Sequence, residues 1–320
     1  MIDVFDLPNI DNNISVFNEV GSTNWQTWQK PRNCKFINIT VIGGGAGGGG
    51  GRGSASSNSI GGGGGGSSSV TTGMFPANLL PDILYILVGA GGAGGNGMTN
   101  GVVPVASAGS SGNLSYVSVL PSTVVNNIIL ASGAVTPTGG SAGTLGPGTA
   151  NGGSPGTVFV PSTNGSLSAL GIVNSVVGQG GALGQSGVAG SNITIANIVS
   201  GGAGGGGTTS SLSSFAGGSI LAGGIVPTVS GGAASATNAG AGAYGFISLT
   251  PSNLVILSQP FITTGGAGGG ATNSTTGTNT GGRGGDGGFG SGGGGGGAAY
   301  TGTSGAGGRG GDGIVIISAF

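Results

Sequence analysis

Phe36-Ile37-Asn38-Ile39-Thr40-Val41-Ile42-Gly43-Gly44-Gly45-Ala46-Gly47-Gly48-Gly49-Gly50-Gly51 contains both textures of which this chain is made. Its first seven residues are mostly β-branched or apolar, with polar side chains at Asn38 and Thr40, the pattern of a half-buried strand. The next nine, broken only by Ala46, bring no side chain to a core and oppose α-helix by about 1 kcal/mol per glycine. Outward from this stretch the same pairing repeats. Short β-prone runs bounded by Gly or Pro occupy 83–88, 114–120, 124–130, 192–199, 244–250 and 314–320. No window sustains a 3.6-residue apolar period with capping residues. The expected fold class is all-β, a β-sandwich-like body of short strands with long glycine-rich segments and little α-helix.

The glycine segments admit two readings. One is flexible loops. The other is polyglycine-II helices, of polyproline-II geometry with three residues per turn. Such helices have no internal hydrogen bonds and satisfy their backbone by bonding to each other. Collagen is excluded, since it needs a strict Gly-X-Y repeat and abundant proline, and this chain has 13 Pro. Pure glycine fills 61–66 and 292–297. Gly-Gly-Ala-Gly-Gly-Gly begins at Gly44, Gly201 and Gly265, and Gly-Gly-Arg-Gly-Gly-Asp-Gly begins at Gly281 and Gly307. Ordering so much glycine is entropically costly, so a bundle would need many mutual bonds.

Composition narrows the function. Among 320 residues there are 84 Gly, 6 Lys+Arg, 7 Asp+Glu, 1 Cys and no His. Proton-transfer enzymes need tuned acids and bases, and a zinc site needs clustered Cys and His. No catalytic, cofactor-binding or metal-binding residue is assigned. Phosphate-backbone binding needs a basic surface, and the formal net charge is -1, so no nucleic-acid partner is expected. Mean hydropathy is +0.32, yet no apolar stretch reaches the roughly 20 residues of a membrane helix, so no membrane insertion is expected. Met1-Ile2-Asp3-Val4-Phe5-Asp6 is acidic and lacks the apolar core of a secretory signal. A chain so apolar and so uncharged is expected to pack against copies of itself, as a homo-oligomer with a trimer favoured.

Charge divides the chain. Asp3, Asp6, Asp11, Glu19, Lys30, Arg32 and Lys35 lie in the first 35 residues with both Trp, and residues 83–282 carry no charge. The expected organisation is an N-terminal attachment segment with the first strand at 1–35, followed by a glycine-rich β domain at 36–320. Trp25 and Trp28 are three apart, so on a strand they face opposite sides. One is expected in the core, the other as an interface anchor or hydrophobic cap. Phe215, Phe289 and Tyr300 stand alone in glycine and either plug its backbone or present an apolar contact. Trp25, Trp28, Phe289 and Tyr300 are the attachment or interface candidates. Arg283, Asp286, Arg309 and Asp312 are candidates for structural ion pairs.

Several motifs tempt. Gly43-Gly44-Gly45-Ala46-Gly47-Gly48 and Gly89-Ala90-Gly91-Gly92-Ala93-Gly94 both fit G-x-G-x-x-G after a strand. A dinucleotide site also needs a helix N-terminus and an acid about 20 residues on, and after Gly89 the next acid is Asp286. Gly307 to Val315 fits the calcium nonapeptide, but that site needs tandem copies. Arg-Gly-Gly suggests RNA tails, which need many more Arg than Arg283 and Arg309. Asn-x-Ser/Thr occurs at Asn13, Asn38, Asn113, Asn164, Asn192 and Asn273, as expected in a chain rich in these residues.

Trp25-Gln26-Thr27-Trp28-Gln29-Lys30-Pro31, the strand entering Val41-Ile42 and its glycine fan, Leu80 to Gly94, Ser111 to Val119, and Gly307 to Ile317 occur in order. That series resembles the glycine-rich domain of bacteriophage tail-fibre and other virion proteins, over roughly residues 20–320. The resemblance implies a virion location, oligomeric fibres or spikes, other virion proteins as partners, and contact with a host-surface glycan or protein. The expected function is a non-enzymatic virion structural protein, whether fibre, spike or decoration. The alternative is a self-assembling extracellular or antifreeze-like glycine-rich material.

Overall fold

The computed structural model describes residues 14–54, 57–98, 106–159, 172–221, 226–246, 262–275 and 279–320. Its strands are β1 (Ile14–Asn18), β2 (Gln26–Gln29), β3 (Phe36–Ile42), β4 (Val70–Pro76), β5 (Ile83–Leu87), β6 (Tyr116–Ser118), β7 (Ile128–Ala131), β8 (Thr149–Ala150), β9 (Val173–Val176), β10 (Gly184–Gln185), β11 (Ile193–Thr194), β12 (Ile220–Leu221) and β13 (Ile314–Ala319). Two antiparallel sheets, ordered β1-β13-β3-β4-β9 and β2-β5-β6-β7, form a sandwich. The all-β class holds.

Alternation builds the sandwich core. Ile37, Ile39 and Val41 of β3 face inward beside Val315 and Ile317 of β13 and Phe75 of β4. The second sheet meets them with Trp28, Leu84, Ile86, Val117 and Leu130. Burying each such side chain contributes about 1.5–3 kcal/mol. β13 is buried on both faces: Ile314 and Ile316 pack outward on Ile42, Val70 and Val199, with Phe289 against that cluster. β1 and β2 place residues before 36 in both sheets.

The glycine segments form a bundle of polyglycine-II helices, with backbone bonds that repeat every three residues. In segment 290–299, the N–H groups of Gly292, Gly295 and Ala298 donate to Ser200, Ala203 and Gly206. Those of Gly293, Gly296 and Ala299 donate to Ala46, Gly49 and Arg52, and those of Gly294 and Gly297 to Gly285 and Gly282. Its carbonyls accept from three more segments: Gly62 and Gly65; Gly266, Gly269 and Thr272; and Gly305, Gly308 and Gly311. Each third of a turn thus meets a different neighbour, as three residues per turn requires, and neighbours enclose the segment on every side. Segments 43–52, 60–68, 200–208 and 263–272 are interior in the same way.

Rim segments explain the recurring cassettes. In 303–313, a β-carbon at Gly307, Gly308, Gly310 or Gly311 would lie 1.8–2.1 Å from a neighbouring carbonyl oxygen. The third position of each turn, Ala306, Arg309 and Asp312, turns outward. Segment 280–288 repeats this with Arg283 and Asp286. Gly-Gly-X is therefore the imprint of two packed faces and one free face on a threefold helix.

A buried hydroxyl layer joins the two halves. Where a strand becomes a glycine helix, the sheet ladder ends and hydroxyls take over its groups. Ser67, Ser68, Ser69, Ser115, Ser132, Ser200, Thr263, Thr264 and Ser291 are all 0% exposed. Gly43 N–H donates to Ser68 Oγ at 3.0 Å, Gly265 N–H to Ser200 Oγ at 2.8 Å, and Thr263 Oγ1 bonds to Phe289 O at 2.6 Å.

Some expected strands are shorter. Within 192–199 only Ile193–Thr194 form a strand, paired with the two-residue β12, and Val199 makes an isolated bridge to Thr263. Residues 244–246 continue a glycine helix, with Gly245 N–H donating to Asp286 O, and 247–250 lie outside the described residues.

Candidate functional site

Strand register gives the molecule two unlike ends. Ile42 pairs with Val70 and Ile314, and Leu87 with Tyr116, beside the glycine bundle. Phe36 opposite Pro76, Ile37 opposite Ala319, and Gln29 opposite Ile83 mark the far end of the sandwich. The other extreme is the bundle tip, formed by loops such as 145–149, 209–214, 236–238 and 300–302.

The sandwich end is anchored by one cation. Lys30 Nζ lies 3.0 Å from Asp82 Oδ1 and donates to Leu80 O at 2.7 Å and Ala77 O at 3.1 Å. This ties loop 30–35 over 77–82 and leaves a shallow cleft of about 400 Å³ lined by Lys30, Arg32, Cys34, Asn78 and Asp82. Arg32 and Lys35 are exposed, and among the described residues neither has an ion-pair partner. Leu79, Leu120 and Val124 sit on the surrounding turns, 68%, 52% and 58% exposed.

The bundle rim carries the only other cluster of charge among the described residues. Arg283 Nη2 pairs with Asp286 Oδ1 at 2.5 Å, and Arg309 pairs with Asp312. Each carboxylate also receives a backbone group from the next helix: Arg309 N–H donates to Asp286 at 2.7 Å and Gly91 N–H to Asp312 at 2.8 Å. These Asp side chains accept from rim N–H groups as carbonyls do inside the bundle. They are structural acceptors first, and their partly exposed ion pairs add about 0–1 kcal/mol.

Residues 20–150 match the family model of a glycine-rich domain. No curated protein matches the chain. The match ends at residue 150, short of the roughly 20–320 spanned by the resemblance. It takes in the whole second sheet, β3, β4 and the first bundle helices. Beyond it the same lattice continues, since Gly202 and Gly205 donate to Gly65 and Gly62 inside the matched region.

The expected contact residues separate. Trp28 is buried in the sandwich core at 5% exposure, which removes it as a surface contact. Trp25 is half-buried at the bundle side of β2. Phe289 packs on the cluster beneath the bundle, so it is a plug rather than a tip contact. Tyr300 is half-buried in a tip loop and Phe215 half-buried close to the tip. The motif glycines are spent in the lattice: Gly44 N–H donates to Asn113, Gly45 N–H to Gly311 and Gly92 N–H to Gly45. Those amides are committed to neighbouring segments and are not available to a pyrophosphate. Among the described residues no cluster of acids, Cys or His fits a metal. Sequence reasoning missed Tyr244, 68% exposed on the rim, and Leu79, whose one visible signal is an apolar pair before Pro81-Asp82.

Proposed function

We propose that the chain is a non-enzymatic structural protein of a virus particle, a fibre, spike or decoration protein. Its sandwich end, with residues 1–35, faces the particle and its glycine bundle faces outward. The two-ended architecture carries this reading. The sandwich end presents Arg32 and Lys35, unpaired among the described residues, beside turns that expose Leu79, Leu120, Val124 and Val125. The other is a laterally bonded rod whose loops 145–149, 209–214, 236–238 and 300–302 hold no charged residue, with Arg52 the one cation beside them. The resemblance to virion glycine-rich domains points the same way.

Host contact, in this reading, is made by the tip through backbone groups, hydroxyls, amides and Tyr300. Such contact suits neutral glycans and protein surfaces, and it is insensitive to salt. Edge strands β1 and β2 carry no charged residue, which favours closure by pairing with other copies. The same uncharged edges favour the alternative, a self-assembling extracellular material.

Mass spectrometry of purified particles tests the particle reading, together with incorporation of a chain lacking residues 1–13. The deletion stops there because β1 belongs to the main sheet. Presence in particles and loss of incorporation are expected; absence from particles overturns the reading. Fibres grown by the purified chain alone would favour the material instead. Adsorption to host cells should change less than tenfold between about 0.05 and 0.5 M salt.

A further inference from the structure

We propose that the exposed end of the sandwich is a docking face for residues 1–13 of the same chain. The inference stands whether or not the particle reading does. Leu79, Leu120, Val124 and Val125, on the turns that close this end, are 52–68% exposed. So many large apolar groups at one end mark an interaction site.

Charge selects the occupant. Lys30, Arg283 and Arg309 are paired with Asp82, Asp286 and Asp312. Of the remaining cations, Arg52 lies at the bundle tip, while Arg32 and Lys35 flank the apolar face. A second copy docking the same face would set these cations against their own counterparts. The occupant must instead be apolar and acidic. Residues 1–13 contain Ile2, Val4, Phe5, Leu7 and Ile10 with Asp3, Asp6 and Asp11, and no Lys or Arg. Glu19, the other acid outside the ion pairs, lies beyond β1 on the bundle side and accepts from Gly21 N–H.

The point of entry fits. Ile14 pairs with Ser318 at this same end. The strand beside it finishes at Phe320, whose backbone bonds to Lys35 and Phe36. Thirteen extended residues reach at most about 45 Å, several times the roughly 10 Å between packed sheets.

The chain's one cysteine, Cys34, lines the cleft and allows a direct test in the full-length protein. Asn9→Cys supplies a second thiol, and the rate of disulfide formation under a fixed excess of an uncharged small disulfide as oxidant is measured on four backgrounds: unchanged, Asp3/Asp6/Asp11→Lys, Arg32/Lys35→Glu, and both sets together. Arg32 and Lys35 are exposed, so melting should not move. Docking predicts that each single reversal slows the cross-link at least about fivefold, and that combining them restores it to within about twofold. A cross-linked monomer on a non-reducing gel is the expected product; a covalent multimer as the main product overturns the assignment to the chain's own segment. Equal rates in all four proteins, or a combined variant as slow as the single reversals, overturn it.

Discussion

A β-carbon on Gly295 would lie 1.9 Å from the carbonyl oxygen of Gly62. The two residues are far apart in sequence, yet their backbones are in contact because neither has a side chain. Neighbouring lattice positions repeat the relationship: at Gly294 the obstacle is Ala267 O at 2.0 Å, and at Gly297 it is Gly270 O at 1.9 Å. Backbone cannot swing aside as a side-chain tip can. Gly295→Ala should therefore cost more than about 3 kcal/mol or abolish folding. Ala93→Ser, on an exposed rim position, should stay within about 0.5 kcal/mol. Denaturant unfolding of both variants checks this; a Gly295→Ala protein as stable as the parent would refute the interior assignment.

Ser115 holds the joint between sandwich and bundle. Its hydroxyl accepts from Gly89 N–H at 2.9 Å and donates to Ile42 O at 2.8 Å, fully buried. Ser115→Ala orphans a donor and an acceptor, at about 1–3 kcal/mol each. Ser211→Ala, in an exposed tip loop, should be neutral to about 0.5 kcal/mol. Equal melting temperatures for the two variants would contradict the joint.

Asp312 separates the value of charge from that of an acceptor. Asp312→Asn keeps an oxygen for Gly91 N–H and loses only the partly exposed pair with Arg309, so it should cost less than about 1 kcal/mol. Asp312→Ala leaves Gly91 without its acceptor and should cost about 1–3 kcal/mol. Thermal melts at low and high salt distinguish them. The Asp-to-Ala loss should persist in high salt, where an ion-pair effect would fade.

Burial raises the Tyr116 phenol above its ordinary value of 10.0. The folded state therefore holds this proton more tightly than the unfolded chain. Its contribution is complete below pH 10 and is lost as pH rises through and beyond that value. Stability of the parent should fall above pH 10, and Tyr116→Phe should flatten that fall. Parallel curves for the two proteins between about pH 9 and 11.5 would show that another group controls alkaline unfolding.

Much of the sandwich was legible from local pattern. The alternation in 36–42 and the apolar run 314–320 name β3 and β13, because a strand's period is visible within a few residues. Residues 114–120 overstate β6, since Ser115 is drawn into the hydroxyl joint. Trp28 and Trp25 do differ in burial, but spacing could not say which was core. The sandwich-end turns were hidden: Leu79, Leu120 and Val124 come from separate stretches and reach one end only when strands align in register.

By itself the sequence determined an all-β chain with little charge, and it excluded collagen through its missing repeat and sparse proline. It left open whether the glycine segments were loops or helices, because glycine has no side chain through which to record a preference. Tertiary structure decided that. A polyglycine-II helix makes no hydrogen bond within itself, so none is stable until neighbours supply donors and acceptors on all sides. Those neighbours, such as Gly62, Ala203 and Gly269 around Gly295, come from across the chain. Their meeting is a property of the assembled lattice, and local sequence cannot encode it.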